Sequence, residues 1–302
     1  MNASISLASS RVARPTADRA LQAAAALLSV YELAAVAPMI NYTRSTGAAG
    51  PLALHALLLT LSATAALAPA RLPVWLRTWL LQLIGPLLYV ELRWLIPGTA
   101  LPHQDARVRG WEAVLLHDDP SRTLAPRFHG VALSELFHLA YASYYALIYV
   151  PPVLLYLRGR REEYAATILA LAVAYAVCFT AYLVFPVDGP RFVAGPAGAP
   201  EGPIRSAVLW LLAVGSSRGT AFPSSHVAAS VTASIFALRF QPRIGVIVAA
   251  VTALLVVATV YGGFHYGVDA FAGLVTGAVA SGIGVMLWRR LAMDGAQSAT
   301  AA

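Results

Sequence analysis

The chain has 302 residues, 59% of them hydrophobic and only 12% charged, against about 25% charged in an ordinary soluble domain. Its net charge of +7 rests on arginine alone, with no lysine; the arginines are scattered between apolar runs, which argues against nucleic-acid binding and makes them topology markers. The one cysteine, Cys178, lies inside an apolar run, so an internal disulfide is excluded and the redox compartment is not indicated.

Apolar runs fall near residues 20–41, 51–70, 75–96, 133–157, 165–185, 224–240, 244–261 and 268–288. Most approach the roughly 20 residues a helix needs to cross a bilayer, and none alternates as a barrel strand does. The predicted fold class is therefore all-α, a polytopic membrane bundle of about eight transmembrane helices. Arg11, Arg14 and Arg19 precede the first run as in a signal peptide. That run is long, contains Glu32 and has Pro38 where cleavage would fall, so a retained helix is expected. The 224–240 run is short, but Pro223 marks its start and Gln241-Pro242 its end.

Two connections are long. Residues 99–131 carry His103, Asp105 and the cluster His117-Asp118-Asp119, which reads as a solvated loop rather than a metal site. Residues 186–222 are rich in proline and glycine, with an apolar insert, Ala207 to Val214, suited to lie along the membrane interface. Residues 291–302 read as a disordered tail. With eight spans the termini share a side, and that side collects Arg11, Arg14, Arg19, Arg71, Arg158, Arg160, Arg161, Arg239, Arg243, Arg289 and Arg290. The termini are therefore expected in the cytoplasm. Both long loops and the turn at 262–267 share the opposite face, of a plasma or inner membrane.

Ionisable side chains beside membrane spans are costly and read as functional. His265 and Asp269 stand four residues apart, one helical turn, so the carboxylate can orient the ring and leave its other nitrogen free. Pro223-Ser224-Ser225-His226 opens the sixth span, where unpaired amides and the helix dipole favour an anion; Ser224 and Ser225 add hydroxyls and His226 can protonate a leaving oxygen. Arg191, in Asp188-Gly189-Pro190-Arg191, supplies a guanidinium for phosphate. Two histidines and a carboxylate also make a set that zinc could use, but the glycine and serine pattern suits an anion better. Glu135, His138 and Tyr266 are headgroup contacts to test, although Glu135 and His138 equally suit hydrogen bonds to neighbouring helices. Tyr141, Tyr144, Tyr145 and Tyr149, at helical spacing, read mostly as packing, and Gly273 with Gly277 as a close helix contact.

Taken in order, Pro190-Arg191, Phe222-Pro223-Ser224-Ser225-His226 and Val260-Tyr261 with His265-Tyr266-x-x-Asp269 resemble the type 2 phosphatidic acid phosphatase superfamily, most firmly over 180–285. With the stretch from Glu135 to Tyr145, the resemblance is greatest to the branch containing fungal inositol-phosphorylceramide synthase, the aureobasidin-resistance branch. It implies a six-helix catalytic core within 73–290, with 1–72 adding a tail and two accessory helices. It also implies a phospho-histidine intermediate on His265 and no metal or other cofactor. Membrane lipids are the implied substrates; oligomeric state is not indicated.

Two positions depart from the family pattern. Val184 stands where a lysine precedes the first-motif arginine by seven residues, and Thr259 where an arginine precedes the nucleophilic histidine by six. Fewer cations suit a donor with a single phosphate charge, such as a phosphodiester lipid, and transfer to an alcohol, as in inositol-phosphate transfer, or to water. Arg218, in Gly215-Ser216-Ser217-Arg218-Gly219, could replace a missing cation and restore ordinary phosphatase activity. The alternatives are hydrolysis of a prenyl phosphate or diphosphate at the outer leaflet, and a non-catalytic lipid-binding or transport protein of the same fold.

Overall fold

The structure, a computed structural model, describes residues 15–195 and 198–300. The first three helices, α1 (Pro15–Thr46), α2 (Ala49–Leu67) and α3 (Val74–Thr99), pack on one another. Next come α4 (Asp105–Leu116), α5 (Pro120–Arg127), α6 (Val131–Ala142), α7 (Tyr144–Leu157) and α8 (Arg161–Val184). The chain ends with α9 (Pro190–Ala194), α10 (Pro203–Gly215), α11 (Ser225–Phe240), α12 (Pro242–Tyr261) and α13 (Gly267–Thr300). Among the described residues the sole β pairing is one parallel bridge, Val187 with Thr220.

The fold is an all-helical membrane bundle. Helices α1, α2, α3, α8, α12 and α13 are long and apolar enough to cross a bilayer, and α6 with α7 passes the same test as a pair bent by 44°, the form of a broken span or a re-entrant loop. Each predicted run coincides with one of these or with α11. That helix has 16 residues and is hemmed in by α7, α8, α12 and α13. Its buried face is small and hydroxylated (Ala228, Ala229, Ser230, Thr232, Ala233, Ser234), because it meets protein rather than lipid. The close contact predicted at Gly273 and Gly277 is present: a Cβ there would lie 2.7 Å from the Ser224 carbonyl oxygen and 2.6 Å from that of Ala228. Helix α13 thus rides directly on the α11 backbone.

In α1 the buried residues Ala17, Ala20, Ala24, Leu28, Tyr31, Ala35 and Met39 recur at three- and four-residue steps, one stripe of a helix. That stripe joins α2, α3, α7, α8 and α11 in one hydrophobic core. Helix α13 continues to Thr300, past residue 290 where a disordered tail is expected; residues 301–302 lie outside the described residues.

The long connections differ from a solvated loop. Residues 99–131 fold into α4 and α5, with Asp105 and Glu112 buried and Trp111, Val114 and Leu115 exposed. This helix is turned inside out for water and suits a membrane interface. His117 ends α4 on the exposed surface, while Asp118 and Asp119 accept hydrogen bonds from Thr123 and Ser121 at the start of α5. Helix α10 contains the predicted apolar insert, with Val208 buried and Trp210, Leu211 and Val214 exposed. All four short helices gather at the end of the bundle where α3, α8 and α12 finish and α11 and α13 begin. There the Gln104 amide donates to the Pro186 carbonyl (2.8 Å) and the Gly267 amide to Glu112 Oε1 (2.9 Å).

Candidate active site

Three turns build this end of the bundle. The first follows α12. Gly263, at φ +67°, reverses the chain in the left-handed region open to glycine, and the amides of Phe264 and His265 both donate to the Thr259 carbonyl at 3.0 Å. This turn holds His265 just ahead of α13. The second follows α8, where Gly189, at φ +91°, passes so close that a Cβ would lie 2.9 Å from the Phe264 carbonyl oxygen. Its next residues form α9, and the Arg191 amide donates to the Gly263 carbonyl at 3.1 Å. The third turn opens α11 and presents His226.

His226 and His265 lie with ring centroids 5.9 Å apart, in an edge arrangement. Together with Arg191, Asp188, Tyr89, Tyr141, Ser216 and Ser217 they line one polar cavity of about 20 Å³. That is room for about one water. The Arg191 guanidinium bonds the Ser216 hydroxyl and lies 4.3 Å over the Phe192 ring, and among the described residues it has no carboxylate partner. The Ser217 hydroxyl is buried without a hydrogen-bond partner.

The His265 ring is held differently from expectation. Its Nδ1 lies 2.9 Å from the Ala221 carbonyl oxygen and 3.6 Å from Asp269 Oδ2. A carbonyl only accepts, so Nδ1 carries the proton and Nε2 keeps the lone pair. The predicted carboxylate–imidazole hydrogen bond is thus replaced by a backbone one. The reason is local: Asp269 is the third residue of α13, and its Oδ2 reaches back to the Tyr266 amide at 2.8 Å, closing the helix start. Burial, and secondarily the neighbouring Arg191 charge, pull the His265 pKa down from 6.5 to about 4, against the opposing Ala221 hydrogen bond. The ring is therefore neutral near pH 7. His226 stacks on Tyr141 (5.0 Å between centroids), with Tyr144 at 4.4 Å, and its Nε2 lies 3.2 Å from the Tyr141 hydroxyl.

Other predicted residues have internal partners. Ser224 and Ser225 are buried and do not line the cavity. Ser224 Oγ accepts the Val227 amide as the cap of α11, and the Ser225 amide donates to the Tyr182 hydroxyl at 3.1 Å. The helix start thus uses the Ser224 hydroxyl and the Ser225 amide, while Ser225 sits beside His226 in the wall of a neighbouring apolar chamber. Arg218 is 63% exposed and bonds Asp188 Oδ2 through Nε (3.0 Å) and Nη2 (2.6 Å). Its charge is spent on Asp188, and it lines a neighbouring cleft. Glu135 accepts the Ile204 and Arg205 amides (2.8 and 2.9 Å) at the start of α10. His138 Nδ1 lies 2.6 Å from the Ser134 carbonyl oxygen, and the Tyr266 hydroxyl donates to Asp105 at 3.1 Å. None of these three faces the cavity.

Sequence reasoning missed the two carboxylates that brace the loops. Asp188 accepts the Gly219 amide (2.9 Å) and lies 2.7 Å from His103 Nδ1. Asp105 accepts the amides of Asp188 (3.0 Å) and Gly189 (2.9 Å). Asp188 sits inside the Asp188-Gly189-Pro190-Arg191 tract, and a turn-forming Asp-Gly pair was its visible signal. Tyr89, Ser216 and Ser217 gave none beyond residue type.

Beside the polar cavity, and sharing Tyr89 and His226 with it, lies an apolar chamber of about 160 Å³ between α3, α7 and α8. Leu81, Ile148, Leu171 and Phe179 are among its walls.

No curated protein and no solved structure matches the chain. A family model for the PAP2 superfamily matches residues 115–283, more than half of the chain. The matched stretch contains Asp188, Arg191, His226, His265 and Asp269, and the family's chemistry is of the phosphatase or phosphotransferase type. Two neutral-capable imidazoles and a guanidinium around one buried cavity, at the end of a membrane bundle, are in keeping with that assignment: the chain belongs to the PAP2 superfamily.

Proposed function

We propose that the protein transfers or hydrolyses the phosphoryl group of a membrane lipid, with His265 as nucleophile, His226 as general acid and base, and Arg191 with Ser216 and Ser217 as the phosphate clamp. One observation carries the lipid assignment: His226 stands in the wall common to the polar cavity and the apolar chamber. A substrate with its phosphate in one and hydrocarbon in the other puts its ester oxygen beside this ring.

His265 Nε2 attacks phosphorus and the P–O ester bond breaks. The departing oxygen takes a proton from His226 in its protonated form, and the bound anion beside the ring favours that form. Water or an alcohol, giving its proton to His226, then attacks the phospho-histidine and frees the Nε2 lone pair. Arg191 and the serine hydroxyls stabilise the equatorial oxygens. Asp269 acts by closing the start of α13, which fixes the loop carrying His265. With Arg218 neutralised by Asp188, Arg191 is the cavity's cation, and this favours a phosphodiester monoanion, the donor type of the inositol-phosphorylceramide synthase branch. The arginine distribution supports cytoplasmic termini and a site on the opposite face.

The test is a panel of phosphatidic acid, phosphatidylinositol with ceramide, and prenyl phosphates, presented in detergent and scored for released phosphate and new phospholipid. The diester pair is expected to turn over. His226→Ala and His265→Ala are expected to abolish turnover; wild-type rates in both would refute the mechanism. Release of phosphate from the monoesters alone would favour a prenyl or phosphatidate phosphatase, and binding without turnover a lipid carrier.

A further inference from the structure

A second polar cluster lies within the membrane-spanning bundle, in the helices that precede the matched family region. Glu32 on α1, His55 on α2 and Glu91 on α3 are buried, with side-chain exposures of 0%, 2% and 0%. His55 Nδ1 lies 2.8 Å from Glu32 Oε2 and 3.5 Å from Glu91 Oε1. One ligand atom from each residue falls within 4.8 Å of the others. Yet both oxygens of each carboxylate and both ring nitrogens are without a hydrogen-bond partner. The 2.8 Å approach is thus an ion-pair contact with poorly aligned hydrogen-bond angles. Two carboxylates and an imidazole converge on one small space.

Such an arrangement is costly in a membrane core unless something neutralises it. One protonated imidazole, in ion-pair contact with Glu32 at 2.8 Å, balances a single carboxylate and leaves the other uncompensated. A divalent cation balances two carboxylates and accepts three N and O donors at once. One imidazole with two carboxylates is a donor set for zinc and its first-row neighbours, and leaves a fourth position for water or a hydroxyl. The Tyr31 and Ser62 hydroxyls, buried and unpartnered on α1 and α2, are available nearby in sequence.

We propose that Glu32, His55 and Glu91 form a divalent transition-metal site that staples α1, α2 and α3 together. It is separate from the phosphoryl site and supplies no chemistry to it. Helix α3 also carries Tyr89, whose ring lies 6.4 Å from that of His226, so the staple sets one wall of the cavity.

The full chain, purified in detergent and stripped with a chelator, is titrated with Zn²⁺ and with Co²⁺. Binding of about one equivalent per chain is expected, with visible d–d absorption from Co²⁺ and an unfolding midpoint that rises with added metal. The isosteric Glu32→Gln/Glu91→Gln double variant is expected to lose all three signals. His226→Ala and His103→Ala are expected to retain them, which separates this cluster from the other histidines. If the double variant fails to accumulate, His55→Gln is read in the same way. A wild-type chain that binds no stoichiometric metal, or variants that bind as it does, would overturn the proposal and leave a proton-sharing cluster.

Discussion

Replacing Tyr182 with Phe removes one oxygen atom from the point where α11 begins. Tyr182 is fully buried on α8; its hydroxyl donates to the Pro223 carbonyl at 2.8 Å and accepts the Ser225 amide at 3.1 Å. Phe has the same ring, so packing is nearly unchanged, but a carbonyl and an amide lose their partner. Each buried orphan costs roughly 1–3 kcal/mol, and partial relaxation brings the expected loss for the pair to about 2–4 kcal/mol. The relaxation that re-satisfies these groups displaces the residue that follows, His226. A shift on the order of 1 Å at a reacting group can cost ~100-fold in rate, so a fall in kcat of about ten- to a hundredfold is expected. KM should move little, because Tyr182 does not line the apolar chamber. Unfolding of the detergent-solubilised protein gives the stability change, and steady-state phosphate release gives the kinetic one. A Tyr182→Phe protein within about 0.5 kcal/mol of wild type, with unaltered kcat, would show that this hydroxyl does not hold the helix start.

Three further outcomes are expected. Arg191→Lys, which loses the planar fork, should lower kcat/KM by about 100-fold, whereas Arg218→Ala, at an exposed and already paired position, should cost less than about tenfold; the reverse order would relocate the phosphate cation. His265 has a folded pKa near 4, below its ordinary 6.5, so as pH falls the unfolded chain takes the proton first. Its contribution to stability is full above pH 6.5 and lost between 6.5 and 4, up to about 3 kcal/mol; unfolding of His265→Gln should be flatter than wild type across that window, and parallel curves would contradict it. Gly277→Val forces a side chain onto the Ala228 carbonyl and should destabilise by about 1–3 kcal/mol, measured by the same unfolding assay, with no change in unfolding counting against direct α13–α11 packing.

The helices were legible because lipid imposes length and apolarity, and each run from 20–41 to 268–288 coincides with a helix or the bent α6–α7 pair. The meeting of His226, His265 and Arg191 could be anticipated from topology alone, since two spans separate their loops. What stayed hidden depends on which of several polar neighbours wins a given proton. Asp269 stands one turn from His265, but the Tyr266 amide claims its oxygen and the Ala221 carbonyl, 44 residues away, takes the ring. Ser224 looked like a phosphate donor and serves as a cap. Asp105 and Glu112, in the first long connection, turn inward because two incoming loops present three amides that need acceptors. Glu32, His55 and Glu91 lie in three separate runs, and only packing assembles them.

Tyr89 belongs to α3, outside the stretch that matches the family, and yet it borders the polar cavity and the apolar chamber and places its hydroxyl 3.3 Å from Thr220 Oγ1. A chain cut back to the family stretch would keep both imidazoles and the guanidinium while opening a breach where hydrocarbon and phosphate part company. If the proposed lipid reaction holds, substrate choice is shaped partly by the leading helices, and exchanging α3 between relatives is expected to alter which lipid is accepted without touching the reacting groups.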